Sequence, residues 1–260
     1  MGKENHITQS ILEIKNLNVY SSITNKHIIK DLSLSIAPNT VTTVIGSPMS
    51  GKSILLKAIN RLNDLQNDIK SKGEIYFKQE NINNINIVEL RQKIGFVFKD
   101  PQVFPHLSIF DNVISGYTLN RVRLSKDEKN YIVERCLNDV ALWDNLKDDL
   151  NKKPDFLTKG EQQRLCIARA IALNPEVILM EEPTSFMSAY CTNKIEEMIH
   201  KYKENTTIII STSKLSQAAR LSDFALYLEN GELIEHNETS KLLWHPKDKR
   251  TEKFIINQID

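Results

Sequence analysis

The chain has 260 residues, 40% of them hydrophobic and 26% charged, with 34 Lys and Arg against 33 Asp and Glu. That length supports one elaborated α/β domain whose core needs no disulfide or metal, and the balanced charge offers no field of one sign to gather nucleic acid or an acidic membrane. The three cysteines, Cys136, Cys166 and Cys191, are far apart and lack C-x-x-C spacing, which argues against a disulfide framework or a cysteine metal site and suits reduced core thiols in the cytoplasm.

No apolar run approaches the ~20 residues that span a bilayer, and the opening "MGKENHITQS" has no apolar signal-peptide core. Any membrane role is therefore expected through a partner. Residues 1–10 read as a tail and 11–260 as one domain. "ILEIKNLNVY" and "DLSLSI" alternate as strands, and "VTTVIG" reads as a buried strand entering a turn. In "KSILLKAINRL", Ile54, Leu55, Ala58, Ile59 and Leu62 fall at helical spacing, and "GEIYF" resumes strand character. The Asn-rich residues 79–88 predict a surface loop leading to a short helix at "VELRQK", followed by the strand "IGFVF". From about 106 to 156 the pattern is helical with charged breaks, clearest in "SKDEKNYIVERCLNDVAL". "PEVILM" and "TTIIIST" predict further buried strands, and "NKIEEMIHKYK" and "LSQAARLS" further helices. The expected fold is α/β, with a core at about 11–100 and 164–260, a β-rich N-terminal subdomain, and an inserted helical subdomain at about 101–163.

Three motifs carry chemistry. Gly46, Ser47, Pro48, Met49, Ser50, Gly51, Lys52 and Ser53 spell G-x-x-x-x-G-K-S between a strand and a helix, the context of a phosphate loop in a P-loop NTPase. Its N–H groups suit a β-phosphate, Lys52 the β and γ oxygens, and the Ser53 hydroxyl a Mg²⁺ ion. In "VILMEEPTS" a buried strand ends in paired acids, where ligands of open α/β sheets sit. Glu181 is placed toward the Mg²⁺ shell and Glu182 as general base for an attacking water. In "LTKGEQQRLCIARA", Thr158 and Glu161 have the spacing of a capping box, and a helix N-terminus also suits an anion.

In this order the chain resembles ABC transporter ATP-binding subunits over nearly its whole length, most closely the phosphate-import (Pst system) ATPases. "NLNVY", "LSIFDNV", "ALWDNLKDDL", "QQRLCIARAIALNPEVILMEEPTS", "QAARLSD" and "GELIEHNET" carry the resemblance. It implies a dimer, of like or unlike subunits, at the cytoplasmic face of the plasma membrane, sandwiching ATP and Mg²⁺ between one phosphate loop and the other subunit's signature turn. That turn is Thr158, Lys159, Gly160 and Glu161. Membrane permease subunits would be direct partners, and an extracytoplasmic phosphate-binding receptor an indirect one. Phe104, Pro105, Leu107 and Phe110 form an apolar patch that the resemblance assigns to permease docking, and that packing of the helical subdomain would equally explain.

Departures from the family pattern fall on the chemistry. Met49 stands for a glycine and Ile54 for Thr, and Pro48 brings no N–H. Lys159 replaces a glycine, Glu161 a Gln, Lys99 a Gln, Glu181 an Asp, Ser188 an Asp, and Ser213 the switch His. A methionine at φ > 0 would be strained. An ammonium cannot ligate Mg²⁺, so Lys99 loses that contact or turns to phosphate, while Lys159 is expected to offset the Glu161 carboxylate. Tyr20 is the nearest aromatic for stacking adenine, with packing as its alternative. His6, His27, His106, His200, His236 and His245 read as surface or loop residues without metal spacing. The expected function is ATP-driven phosphate import. The alternative is a hydrolysis-impaired regulatory subunit or degenerate half of a heterodimer. A kinase-type phosphate-loop enzyme has little support, because nothing resembles an acceptor site.

Overall fold

The computed structural model describes residues 10–259, so His6 and most of the expected tail lie outside the described residues. The chain forms two compact units, 10–86 with 212–259, and 87–211. The first begins with β1 (Leu12–Ser21), β2 (Lys26–Ile36), β3 (Val41–Ile45), α1 (Lys52–Ile59), β4 (Ile69–Phe77) and β5 (Glu80–Asn81). The second carries α2 (Ile87–Lys93), β6 (Ile94–Val97), α3 (Ile109–Leu119), α4 (Lys126–Asp139), α5 (Trp143–Leu146), α6 (Lys159–Ala172), β7 (Val177–Glu181), α7 (Ala189–Tyr202) and β8 (Thr207–Ser211). The first unit resumes with α8 (Leu215–Leu221), β9 (Phe224–Glu229), β10 (Glu232–Glu238), α9 (Thr239–Trp244) and α10 (Lys249–Ile259).

In the first unit β1 alternates buried and open positions, as a strand with one covered face must. It pairs antiparallel with β2, Leu12 facing Ile36, and with β4, Leu12 facing Phe77, in a sheet of order β2-β1-β4-β5. This is the β-rich subdomain expected at the N-terminal side. Strand β3 is buried at every position, matching its unbroken apolar reading, and runs parallel to β9, while β10 pairs antiparallel with β9. Tyr227 of β9 stacks on Phe254 of α10 at 4.6 Å. Buried Glu235 accepts from the N–H groups of Lys247 (3.1 Å) and Asp248 (3.2 Å), which satisfies the turn entering α10.

The second unit is built on three parallel strands, with Ile94 facing Val177 and Val177 facing Thr207. Helix α6 buries Leu165, Ile167, Ala168, Ile171 and Ala172. The Tyr117 hydroxyl of α3 donates to Ala172 O at 2.8 Å, and the Tyr202 hydroxyl of α7 donates to Asp139 of α4 at 2.8 Å. Burial and this carboxylate push the Tyr202 hydroxyl far above the ordinary tyrosine range.

One local expectation changes. The Asn-rich stretch 79–88 is not simply a surface loop: it holds β5, and Ile82 and Ile85 are buried among its polar neighbours. The elements β9, β10, α9 and α10 had no separate prediction. β10 alternates weakly, mostly between charged and half-buried residues, so its period-2 signal is faint.

Candidate functional site

The loop between β3 and α1 belongs to the first unit. Gly46 and Gly51 have φ values of 153° and 105°. A Cβ on Gly46 would lie 2.2 Å from Leu228 O, and one on Gly51 would lie 2.7 Å from Ile29 Cδ1. Only glycine fits at either end, so the backbone itself lies against β2 and β9. Lys52, the first residue of α1, folds beneath the loop and donates to Gly46 O (2.6 Å), Ser47 O (2.8 Å) and Ser50 Oγ (3.4 Å). Its side chain is buried, while Ser47, Pro48, Met49 and Ser53 are exposed along the loop and the first turn. Met49 takes φ 62°, the strained left-handed conformation expected for it. Ile54 is half-buried, its carbonyl accepting from Asn63.

Tyr20 is the next-to-last residue of β1, and one of its ring faces is already covered. His27 of β2, its cross-strand partner, stacks on it at 4.3 Å and 16°, and His27 Nε2 meets Asn18 Oδ1 at 2.8 Å. His27 is therefore a half-buried strand residue, which corrects its reading as a surface or loop histidine. Ser213 is exposed in the turn after β8 and lines a cavity of about 610 Å³ with Leu215, Leu243, Trp244 and Ile255.

The second unit holds the acids. Glu181 ends β7 and is buried. Glu182 follows at φ 38°, its N–H donating to Ser211 O at 2.9 Å. Its Oε2 meets Lys99 Nζ at 2.9 Å and accepts from Ser185 Oγ at 3.1 Å. Two donors thus converge on one carboxylate oxygen. Ser188, at the position of a family Asp, caps α7 by accepting from Cys191 N at 3.3 Å.

At α6 the capping box is complete. Thr158 Oγ1 accepts from Glu161 N (3.3 Å), and Glu161 Oε2 accepts from Thr158 N (2.9 Å) and Thr158 Oγ1 (2.7 Å). Burial pushes the Glu161 carboxyl upward, but the Thr158 bonds, Arg164 and Asn145 outweigh it and hold the group below the usual carboxylate range. Lys159 does not turn to Glu161. It pairs with Asp100 at 2.9 Å and sits 3.8 Å from the centre of the Phe186 ring. A Cβ on Gly160 would lie 2.5 Å from Phe186 O, so this turn too requires glycine. Phe104 packs under the Arg169 guanidinium at 4.5 Å and is half-buried with Leu107 and Phe110, leaving Pro105 exposed.

Ser185, Asp100 and Phe186 escaped the sequence reading, as did Arg164 and Asn145 beside Glu161. Asp100 adjoins Lys99 in a loop whose charge was legible, but nothing in the spacing ties it to Lys159. Phe186 sits four residues past Glu182 in an irregular turn with no period to follow.

A family model described as "ABC transporter" matches residues 29–185, which include the phosphate loop, the paired acids and the α6 entrance. The phosphate import ATP-binding protein PstB of Thermotoga maritima is 40% identical over 253 residues, 96% of this chain and 99% of that protein. The chain belongs to the ABC transporter family. Among solved structures, a dimeric ATP-binding cassette in a post-hydrolysis state with ADP and Pi is 28% identical, covering 88% of this chain and 98% of its own, at a TM-score of 0.77. The ABC protein CbiO1 of Clostridium perfringens, 24% identical, covers 96% and 94% at 0.75, a likeness of fold. ABC ATPases bind ATP, and the Gly46–Ser53 loop of this one suits a polyphosphate: two glycines that admit no Cβ, and a buried lysine with several oxygen partners close by. The hydroxyl of Ser53 and the carboxylate of Glu181 are hard oxygen donors of the kind Mg²⁺ takes. Among the described residues, no helix is long and apolar enough to cross a membrane.

Proposed function

We infer that the chain is the ATP-binding subunit of an ABC importer that couples ATP binding and hydrolysis to inorganic phosphate uptake. The observation that carries this reading is the Gly46–Ser53 loop with Lys52 folded beneath it. The 40% identity to a phosphate import ATP-binding protein over 96% of the chain supports the cargo.

Lys52 would turn from its loop carbonyls to the β and γ oxygens of ATP, because a polyanion binds an ammonium more strongly than a neutral carbonyl does. Ser53 would contact Mg²⁺, which when bound supplies positive charge against the phosphate oxygens, and Glu181 is a second oxygen donor of the kind that ion takes. Glu182 would take the proton of the attacking water. Thr158 to Glu161 would face a neighbouring subunit's nucleotide through the α6 N-terminus, Gly160 permitting close approach. Tyr20 is the aromatic that would stack adenine, with His27 already on its ring and the Lys72 ammonium 6.0 Å from the ring centre to be displaced. Phe104, Pro105, Leu107 and Phe110 would meet a permease, placing the chain peripherally at the cytoplasmic face of the plasma membrane, with the extracytoplasmic phosphate-binding receptor an indirect partner.

Lys99 and Ser185 already engage the Glu182 carboxylate, which must change partners before it meets a water, and this supports slow basal turnover. The test is steady-state ATP hydrolysis by the purified chain beside Glu182→Gln, which is expected to lose about 10²-fold or more in kcat. Indistinguishable rates would end the enzyme reading and leave a regulatory subunit or the inactive half of a heterodimer. Phosphate uptake by vesicles carrying the chain with its permease tests the cargo.

A further inference from the structure

The cavity beside Ser213 serves none of the proposed steps. Its volume of about 610 Å³ lies in the range of small-molecule sites, and its walls come from the turn after β8 and from α8, α9 and α10, all in the first unit. Leu215 and Leu243 form an apolar floor that packs on the core cluster of Tyr227 and Ile255, so the floor is fixed from beneath. Trp244 stands at its edge with 75% of its surface exposed. A single exposed aromatic means little, but one that borders an apolar floor leaves a contiguous apolar surface in water. Lys214 is the one charged residue among the described residues that line the cavity; it is exposed, and among the described residues it enters no ion pair. The turn that carries it is held from both sides. Lys214 N donates to Thr212 Oγ1 at 3.1 Å, and that hydroxyl donates to Gln217 Oε1 at 3.0 Å. Such a turn presents its ammonium without first having to be ordered.

We propose that this cavity binds an amphipathic organic monocarboxylate, its hydrocarbon body against Leu215, Leu243 and Trp244 and its carboxylate at Lys214. The floor and the indole reward burial of a hydrocarbon body, and an unpaired cation with no acid among the described lining residues rewards one negative head. A polyphosphate would find no second cation there, and an organic cation would meet only repulsion. The site is a property of the first unit alone and does not rest on the reading of the phosphate loop.

The chain has two tryptophans, Trp143 in the second unit and Trp244, so full-length Trp143→Phe reports on Trp244 alone. The probes are phenylbutyrate and its uncharged counterpart phenylbutyramide, titrated at millimolar concentration while Trp244 fluorescence and its quenching by acrylamide are followed. Phenylbutyrate is expected to shift the emission to the blue and to reduce quenching, because the indole leaves water. The acid is expected to bind about two- to fivefold more tightly than the amide, the worth of one exposed charge pair. Lys214→Met, an exposed substitution, is expected to abolish that preference and leave the amide unchanged. Ala219→Phe, at an exposed lining position of α8, fills the cavity and is expected to weaken both probes. Each variant is first shown to be folded by its thermal transition. A Trp244 signal that does not respond to phenylbutyrate would overturn the site. Equal affinity for acid and amide in the parent, or a preference that survives Lys214→Met, would overturn the assignment of the carboxylate to this lysine. Neither outcome touches the ATPase reading, which is decided by turnover.

Discussion

Met49 holds φ 62° with 87% of its surface exposed, so the left-handed strain is not repaid by burial. A β-carbon in that region costs about 1–2 kcal/mol, and glycine's greater unfolded-state freedom takes back about 0.5–1 kcal/mol. Met49→Gly is accordingly expected to stabilise the chain by about 0.5–1 kcal/mol, read from the urea midpoint at unchanged slope. A destabilised variant would mean that the methionine makes contacts worth more than its strain. Lys52 and Glu182 show what motif spacing can and cannot carry. The phosphate-loop pattern named Lys52 and its neighbours, because a fixed run of residues on one turn leaves little room for rearrangement. The partners of Glu182 were not legible: Lys99 lies more than eighty residues away in the chain, and the closeness of the two ammonium and carboxylate groups depends on β6 and β7 pairing in parallel. Tyr20 was legible as an aromatic at a strand end, but the loss of one of its faces to His27 depends on strand register.

Helix α6 begins as its sequence says, because a capping box is local: residues three apart satisfy each other's N–H groups whatever surrounds them. Helix α4 starts the same way, with Ser125 and Glu128. Thr158→Ala is expected to cost about 1 kcal/mol in the absence of nucleotide, measured by chemical denaturation. The same box gives a pH dependence. The folded Glu161 carboxyl sits below its ordinary range, so its contribution is present above that range and is lost as pH falls through the lowered folded value. Acid titration of stability in Thr158→Ala should therefore show a shallower decline than in the parent chain, and identical slopes would remove Glu161 from the account. At β10 and α10 the local signal fails. Their placement depends on Tyr227 meeting Phe254 and on Glu235 collecting the N–H groups of Lys247 and Asp248, contacts that no short window contains.

As a whole the molecule belongs with cassettes that are solved as dimers, one of them holding ADP and Pi. The proposed assembly of this chain sets the face around Thr158 to Glu161 against a second copy or a related chain. Lys159 stands in that turn fixed by Asp100 and Phe186 rather than by Glu161, and it holds the Asp100 carboxyl below its usual range. Its charge thus reaches the surface paired with that of Asp100. Lys159→Ala is expected to weaken ATP-dependent dimerisation several-fold, measured by light scattering with ATP and magnesium, and unchanged association would remove this lysine from the interface.

The sequence by itself determined the elements whose causes are local: the buried strands with unbroken apolar runs, the capped helices, and the phosphate loop with its glycines and lysine. It also carried the family, through motifs in a fixed order. Only the tertiary structure decided the partners of the charged residues, Lys99 with Glu182 and Lys159 with Asp100, and the stack of His27 on Tyr20. The reason is physical: helix caps and turns are satisfied within a few residues, whereas an ion pair or ring stack requires a strand register and a loop path that distant parts of the chain set together.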